Sequence, residues 1–244
     1  MFAKWPTAIE KVPMAKTTQA AAANFDPLAR VYRALEIVAF GGDLERARFC
    51  LLPRLAGCRS ILILGEGDGR CAERLLTVAP SARIHCVDSS PAMIAQAKAR
   101  VAGKGGGERV TFECADVLGR EFPVAGHDAV VTLFFLDCFE PEQAEAVVGR
   151  IAAALQPGAR WLFADFVRPE KGLARLRARL WLAVLYAFFR WQTGLRVRAL
   201  PPSEMLIEKA GFEGIAAATF QHGLLRTRLF VENRQSRIEK IQRC

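Results

Sequence analysis

Three glycines at alternating positions follow a run of apolar residues and could bind a ligand through their backbone. Residues 61–64 are Ile-Leu-Ile-Leu, and Gly65, Gly67 and Gly69 come directly after them. A continuous apolar run is typical of a buried parallel strand, and glycines let the chain turn sharply and approach a ligand where the next helix begins. Asp88 ends the following apolar run, where a carboxylate can accept hydrogen bonds from ribose hydroxyls. The pattern predicts a nucleoside-containing cofactor at these two strand ends.

Apolar periodicity and turn residues along the chain predict strands that alternate with helices, which is typical of a parallel sheet with right-handed crossovers. Ser90 and Pro91 fit the cap and first position of a helix. The last two predicted strands are close enough in sequence to form a hairpin. The predicted strands are 61–64, 82–87, 110–113, 128–135, 161–166, 214–220 and 224–231. The predicted helices are 25–39, 44–55, 69–78, 91–101, 140–155, 172–192 and 201–211.

These features together resemble the class I S-adenosylmethionine-dependent methyltransferases. The turn has the G-x-G-x-G form, and residues 88–93 and 155–158 are similar to the family's D-x-S-x-x-M and L-x-P-G runs. Residues 25–32 resemble the start of the ubiquinone/menaquinone C-methyltransferase-like branch. The resemblance implies an α/β, Rossmann-like, seven-stranded and mostly parallel sheet of order 3-2-1-4-5-7-6, with helices on both faces and an antiparallel C-terminal hairpin. It also implies S-adenosyl-L-methionine as the cofactor.

The resemblance assigns individual positions to the cofactor. The glycine turn would bind its amino acid portion, Asp88 its ribose, and Asp116 the amino group of its adenine. Thr132 begins the segment expected beneath the sulfonium, and Tyr32 would close over the cofactor. The cofactor-binding residues implied in this way are Gly65, Gly67, Gly69, Asp88, Ser89, Met93, Asp116, Val117, Thr132 and Tyr32.

One position departs from the family pattern. The first strand usually carries an acid two residues before the first glycine, and here that residue is Ile63. Glu66, inside the turn, could supply the carboxylate for the cofactor's ammonium group from a different backbone position. We therefore add Glu66 to the predicted cofactor-binding residues.

Methyl transfer by in-line displacement asks mainly that the acceptor be close, aligned and stripped of water. An acceptor that loses a proton would also need a titratable group near the strand ends. Asp137, His222 and Tyr186 are the candidate catalytic residues, together with Asp165, and they are chosen only for their positions near expected strand ends.

The seven cysteines are scattered and odd in number, so neither a zinc site nor a disulfide framework is predicted. A cytoplasmic location follows as the simplest expectation.

Positive charge is concentrated in one segment of the second half of the chain. The net charge is +9, and residues 168–198 contribute eight basic residues and one acid. The helix predicted at 172–192 lies where the family inserts an acceptor-binding lid, and its apolar face predicts a small hydrophobic acceptor that is quinone-, phenol- or lipid-like. The segment 172–198 could also contact a membrane surface. Packing of the lid on the core explains the same pattern.

The domain organisation predicted from these patterns is a flexible leader (1–24), one methyltransferase domain (25–232) and a basic tail (233–244). N-terminal helices (25–57) and the lid insertion (168–200) belong to the domain.

Two alternatives to the methyltransferase function remain. An NAD(P)-dependent oxidoreductase would use a similar sheet, but its pyrophosphate-binding turn wants Gly or Ala where this chain has Arg70, and the terminal hairpin also argues against it. A nucleic-acid-binding protein would use the basic residues, but no nucleic-acid-binding motif accompanies them, so nucleic acid is not expected as a partner.

Overall fold

The computed structural model describes residues 40–119, 126–167 and 200–233. They form a seven-stranded sheet of order β3-β2-β1-β4-β5-β7-β6, so the predicted fold class is confirmed. The strands are β1 (Ser60–Leu64), β2 (Arg83–Asp88), β3 (Val110–Cys114), β4 (His127–Leu133), β5 (Leu155–Phe166), β6 (Phe212–Phe220) and β7 (Leu225–Glu232). The α-helices of the described residues are α1 (Asp43–Phe49), α2 (Arg70–Val78), α3 (Pro91–Ala102), α4 (Pro141–Ala154) and α5 (Ser203–Lys209).

The first strand is buried on both faces because it pairs with parallel neighbours on both sides and is covered by helices. Ile61 and Ile63 belong to the apolar cluster that includes α2 residues, whereas Leu62 and Leu64 belong to the cluster that includes α4 residues. Side chains of a strand alternate between the two faces of a sheet, so four consecutive apolar residues fill two cores. This burial explains the uninterrupted apolar run in the sequence.

The C-terminal hairpin also agrees with the prediction. β7 pairs antiparallel with both β5 and β6, whereas the other neighbouring strands pair in parallel. The start of α3 is confirmed as well, because Ser90 Oγ accepts a hydrogen bond from the Met93 amide at 3.1 Å and Pro91 follows the cap. In the described ranges, no helix combines the length and the apolar character that crossing a bilayer requires.

Several predicted boundaries differ from the structure. β4 ends at Leu133 instead of residue 135, because Phe134 has a φ of 55°, which ends the extended conformation. The helix predicted at 44–55 is divided into α1 and a 3₁₀ turn (Leu52–Leu55) that contains Pro53. β5 begins at Leu155, six residues before the predicted start, although Gly158 has a φ of 78°.

Parts of the predicted organisation lie outside the described residues. These are the leader (1–24), the first predicted helix (25–39), the lid apart from Leu200, and the tail beyond Asn233. Tyr32 and Tyr186 fall within those parts. The proposed domain boundaries therefore remain predictions.

Candidate active site

The carboxyl ends of β1 and β4 form the point where the direction of strand order reverses. β1 pairs with β2 on one side and with β4 on the other, so the chain leaves β1 in one direction and returns to its opposite side. In open α/β sheets, ligands bind in the crevice at such a switch point. Gly65 follows β1 there, and Phe134 and Phe135 follow β4. These residues define the candidate site.

The three glycines of the turn have positive φ angles of 68°, 66° and 88°, a region that favours glycine. A Cβ atom at Gly65 would lie 2.5 Å from the Phe135 ring, and one at Gly69 would lie 2.6 Å from the Ala97 Cα atom of α3. Close packing therefore explains two of the glycines. A Cβ atom at Gly67 would meet no atom of the described residues within 4 Å. Gly67 leaves space at the surface where a ligand could approach the backbone.

The carboxylate of Asp88 joins the end of β2 to this turn. Its Oδ2 atom accepts a hydrogen bond from the Gly67 amide at 2.9 Å, and its Oδ1 atom accepts one from the Ser90 amide at 2.9 Å. The acid thus fixes both the middle of the glycine turn and the chain that enters α3. The structure brings Asp88 and the glycine turn together, as the sequence predicts.

Charged side chains hold the second half of the turn. Asp68 Oδ1 accepts a hydrogen bond from Arg70 Nε at 2.9 Å, and Arg100 of α3 contacts both the Asp68 carboxylate at 3.1 Å and its carbonyl oxygen at 2.8 Å. Arg70, which departs from the dinucleotide pattern, therefore has a structural role here. These ion pairs restrict the backbone that a ligand would contact.

Glu66 points into the start of α2. Its Oε1 atom accepts hydrogen bonds from the Cys71 and Ala72 amides, each at 3.1 Å. Its Oε2 atom is buried and has no hydrogen-bond partner among the described residues. Burial raises the pKa of Glu66 to about 8, and the negative charges of Asp68 and Asp88 act in the same direction.

The residues predicted to contact the adenosine differ in exposure. Ser89 is exposed after β2, whereas the Met93 side chain is buried on α3. Asp116 is half-buried after β3, and its Oδ1 atom accepts a hydrogen bond from the Leu118 amide at 2.9 Å. The side chain of Val117 packs into the apolar cluster that includes α4 residues. All four residues follow the carboxyl ends of β2 and β3.

Thr132 belongs to the core of the sheet. Its side chain is fully buried, and its Oγ1 atom accepts a hydrogen bond from Trp161 Nε1 on β5 at 2.8 Å. A buried indole N–H needs such a partner. The structure therefore gives the Thr132 hydroxyl an internal contact, and its predicted contact with the cofactor stays a prediction.

Two of the candidate catalytic acids meet beside the switch point. Asp137 belongs to a 3₁₀ turn (Leu136–Cys138) after β4, and Asp165 is the penultimate residue of β5. The Asp137 amide donates a hydrogen bond to Asp165 Oδ2 at 3.0 Å, and the two carboxyl groups are also hydrogen-bonded to each other. Burial raises the pKa of Asp137 to about 6 and the pKa of Asp165 well above its ordinary value.

A buried arginine that was not among the predicted site residues lies near these acids. Arg48 of α1 is buried, and its guanidinium lies 5.3 Å from the centre of the Phe134 ring. Its positive charge lowers the pKa of Asp137, which opposes part of the effect of burial. A basic residue next to apolar residues on a helix is usually exposed, so the sequence carried no signal for this placement.

Known proteins that are similar to this chain indicate its family. Residues 61–158 match the model of a family described as "Methyltransferase domain". A demethylmenaquinone methyltransferase of Thermus thermophilus is 31% identical over 153 residues, which cover 62% of this chain and 68% of that protein. The chain belongs to the S-adenosylmethionine-dependent methyltransferases. This methyltransferase also resembles solved structures in its fold.

Two of those structures illustrate the likeness. The apo form of the S-adenosylmethionine-dependent methyltransferase SibL has a TM-score of 0.64 at 22% identity, with 88% of this chain and 64% of that chain covered. The N-methyltransferase NodS from Bradyrhizobium japonicum, in complex with S-adenosyl-L-homocysteine, has a TM-score of 0.57 at 18% identity, with 78% and 87% covered. This chain spans slightly under two thirds of the length of SibL.

The site of the methyltransferase fits its family's cofactor. No described residue covers the surface at Gly67, and the Gly67 amide is held by Asp88, an acid that can also accept hydrogen bonds from ribose hydroxyls. The buried Oε2 atom of Glu66 has no hydrogen-bond partner in residues 40–119, 126–167 and 200–233, and it could meet a cationic group. Among the described residues, no group of His, Cys, Asp and Glu side chains is arranged to hold a metal ion.

The remaining catalytic candidate lies farther along the sheet. His222 is exposed in the turn between β6 and β7, and its φ is 54°. This turn is at the same edge of the sheet as the site, but β5 separates it from the crevice between β1 and β4. The structure therefore brings together Asp137 and Asp165, but it does not add His222 to them.

Proposed function

We propose that this methyltransferase transfers a methyl group from S-adenosylmethionine to a small, apolar acceptor of the quinol or phenol type. The observation that carries the proposal is the open surface at Gly67 beside the carboxylate of Asp88, at the switch point of the sheet. When bound there, S-adenosylmethionine supplies a methyl group on a positively charged sulfur. The protein's residues then bind, orient and desolvate the reactants.

The proposed cofactor contacts extend along the carboxyl ends of three strands. The glycine turn would bind the amino acid portion through its amides, with Glu66 close to the ammonium group. Asp88 would bind the ribose, and Asp116, which follows β3, would bind the adenine. Ser89, Met93 and Val117 would line the adenosine, and Tyr32 would cover it. Thr132, next to the last residue of β4, would lie beneath the sulfur.

Aromatic side chains support an apolar acceptor. Phe134 after β4 and Phe166 at the end of β5 have ring centres 5.1 Å apart, and Phe40 lies 5.6 Å from Phe166. These residues belong to an apolar cluster next to the positions where the chain enters and leaves residues 168–199. A flat aromatic acceptor would pack well against such rings. The relative from Thermus thermophilus is named for demethylmenaquinone, which motivates a quinol or naphthol acceptor first.

Calorimetric titration with S-adenosylhomocysteine tests the cofactor, with NADH as the comparison ligand. We expect the protein to bind S-adenosylhomocysteine and not NADH. Binding of NADH alone would contradict the proposal.

The acceptor is tested with tritiated S-adenosylmethionine and a panel that contains 1,4-dihydroxynaphthalene, smaller phenols and a hydrophilic amine. Label transferred only to the amine would contradict an apolar acceptor.

We also propose that residues 172–198 contact the acceptor or a membrane surface and that the protein is cytoplasmic. The concentration of basic and apolar residues in that segment supports the contact. Sedimentation with vesicles that contain anionic lipid tests it. Full recovery of the protein in the supernatant would exclude contact of this segment with the membrane, and only its contact with the acceptor would stay proposed.

A further inference from the structure

The carboxyl groups of Asp137 and Asp165 form a pair at the carboxyl ends of β4 and β5. Asp165 is held in place by two backbone amides, because Oδ1 accepts a hydrogen bond from Phe166 N and Oδ2 accepts one from Asp137 N, each at 3.0 Å. The two acids are 28 positions apart in the sequence, and all of α4 lies between them. The fold thus brings them together at the ends of two neighbouring parallel strands.

Two hydrogen-bonded carboxyl groups that exclude water hold one proton between them, because two buried negative charges in contact repel strongly. Burial and the neighbouring charge raise the pKa of Asp165 well above its ordinary value, despite its two bonds from amides. The pKa of Asp137 rises less, to about 6, because the Asp165 hydrogen bond and Arg48 favour its charged form. Asp137 therefore ionises before Asp165, and the proton that the pair retains belongs to Asp165.

The surroundings of the pair place Asp137 nearer to the site than Asp165. Asp137 is 9% exposed and Asp165 only 1% exposed, so a ligand would meet Asp137 first. Phe135, two residues earlier, packs on Gly65 of the cofactor turn. The charged and titratable groups that act on the pair are Arg48 from α1 and Cys138 from the same turn, whose thiol lies 3.7 Å from Asp137 Oδ1. Asp88, at the end of β2, also acts on Cys138.

We propose that Asp137 is the base that accepts the proton of the methyl acceptor, and that Asp165 is a positioning residue that holds its carboxylate through a shared hydrogen bond. This inference rests on the proposed function, since it assigns a proton acceptor to the same reaction. It joins two acids that are separated in sequence into one catalytic unit with Arg48 beside it.

The proton step balances in atoms and charge. The acceptor X–H gives its proton to an Asp137 oxygen, and the electron pair that remains on X forms the new bond to the methyl carbon. The electron pair of the broken sulfur–carbon bond stays on sulfur, which becomes a neutral thioether. One positive charge on sulfur and one negative charge on Asp137 disappear together. The proton then leaves Asp137 to water before the next turnover.

Infrared spectroscopy tests the shared proton in the ligand-free protein. At pH 7 we expect a carboxylic acid band that Asp165→Asn removes. Glu213→Gln is the control and should leave the band unchanged, because Glu213 of β6 lies at the level of Arg160 in the sheet, away from Asp165. Glu66→Gln is included because Glu66 contributes a separate acid band that titrates near pH 8. A spectrum that Asp165→Asn does not change overturns the inference. If Asp165→Asn does not fold, the acid band that remains at pH 7 in Glu66→Gln tests the same point, because Asp137 alone, with a pKa of about 6, would be mostly ionised there. The absence of a remaining band overturns the inference.

Kinetics test the role of Asp137, with 1,4-dihydroxynaphthalene as the acceptor. General bases contribute roughly 10²–10⁴-fold, so Asp137→Asn should lower kcat at least about 100-fold and remove the rise of kcat with pH near 6. The affinity for S-adenosylhomocysteine should stay within about two-fold. Asp165→Asn keeps a hydrogen-bond donor to Asp137, so its kcat should fall less.

The outcomes separate the two proposals. Loss of S-adenosylhomocysteine binding in the wild-type protein contradicts the proposed function itself. If the protein binds S-adenosylhomocysteine but does not methylate 1,4-dihydroxynaphthalene, the proposed acceptor class is contradicted. The infrared band then tests only whether Asp137 and Asp165 share a proton. Turnover with an unchanged kcat and pH profile in Asp137→Asn overturns the inference and leaves the proposed function standing.

Discussion

Asp88 Oδ2 accepts a hydrogen bond from the Gly67 amide at 2.9 Å, which ties the end of β2 to the middle of the glycine turn across 21 residues. The other oxygen of the same carboxylate accepts a hydrogen bond from Ser90 N as α3 begins. One acid therefore orders two backbone segments at the edge of the sheet. The proposed ribose contact would use a carboxylate that is already fixed in position.

Replacement of Asp88 by Asn should weaken binding of S-adenosylhomocysteine by about 10- to 100-fold. An amide has one acceptor oxygen, so one of the two amide bonds is lost together with the negative charge, and hydrogen bonds to charged groups contribute roughly 1.5–3 kcal/mol. Calorimetric titration of both proteins gives the ratio of dissociation constants.

Asp128 provides the matched control for that substitution. Its carboxylate also accepts two backbone hydrogen bonds, from Arg59 N at 2.7 Å and Ser60 N at 3.0 Å, but at the opposite end of β1. Asp128→Asn should lower the free energy of unfolding to a similar extent and leave S-adenosylhomocysteine affinity within about two-fold. Equal losses of affinity in the two variants would show that Asp88 acts only through stability.

A methyl group at Gly67 should reduce cofactor affinity far more than stability. Gly67→Ala meets no atom of the described residues, so its cost in the free protein is the positive φ, roughly 1–2 kcal/mol. Gly105 has a φ of 68° and equally open surroundings, in the loop between α3 and β3. Thermal unfolding should therefore shift alike in Gly67→Ala and Gly105→Ala, and only the former should lose at least about ten-fold in S-adenosylhomocysteine affinity. Equal affinities in the two variants would place the cofactor elsewhere.

The hairpin could be predicted because its two strands are neighbours in sequence, whereas the strand order was expected only through the resemblance to the family. The apolar run of β1 and the Ser90-Pro91 start of α3 have the same physical cause in the sequence as in the structure. The end of β4 could not be predicted, because nothing in the residue type of Phe134 indicates a positive φ. The start of β5 was predicted only at residue 161, after Pro157 and Gly158, yet residues on both sides of these two pair with β4.

The candidate site was predictable only where a known spacing of residues in the sequence supplies it. The glycine turn and Asp88 follow a pattern of fixed spacing, so their contact could be expected. The partnership of Asp137 with Asp165 depends on how β4 and β5 align, and the approach of Arg48 depends on where α1 packs. Contacts of this kind arise from tertiary packing, which sequence spacing does not encode.

Glu66 should make the stability of the protein fall as the pH rises. Its pKa is raised from 4.5 to about 8, so the folded state holds the proton more tightly than the unfolded state does between these values. Its contribution to stability is fully present below about pH 4.5 and is lost as the pH rises through 8. Within that window the slope for one proton is about 1.4 kcal/mol per pH unit.

Glu66→Gln removes that proton but keeps an oxygen for the Cys71 and Ala72 amides. Denaturant unfolding at pH 5 to 9 should therefore show a difference, variant minus wild type, that grows with pH. A difference independent of pH would contradict the assigned ionisation. The same variant should bind S-adenosylhomocysteine about ten-fold more weakly, and unchanged affinity would remove Glu66 from the proposed cofactor contacts.

Thr132→Val should separate packing from cofactor binding at the end of β4. The substitution keeps the shape of the side chain but leaves Trp161 Nε1 without its hydrogen-bond acceptor in the core, which costs about 1–3 kcal/mol of unfolding free energy. Thr132→Ser keeps the hydroxyl and is the matched control, since it loses only a methyl group. If the Thr132 hydroxyl serves the core alone, S-adenosylhomocysteine affinity should be equal in both folded variants. A selective loss of affinity in the valine variant would instead assign the hydroxyl to the cofactor, because the serine variant retains it.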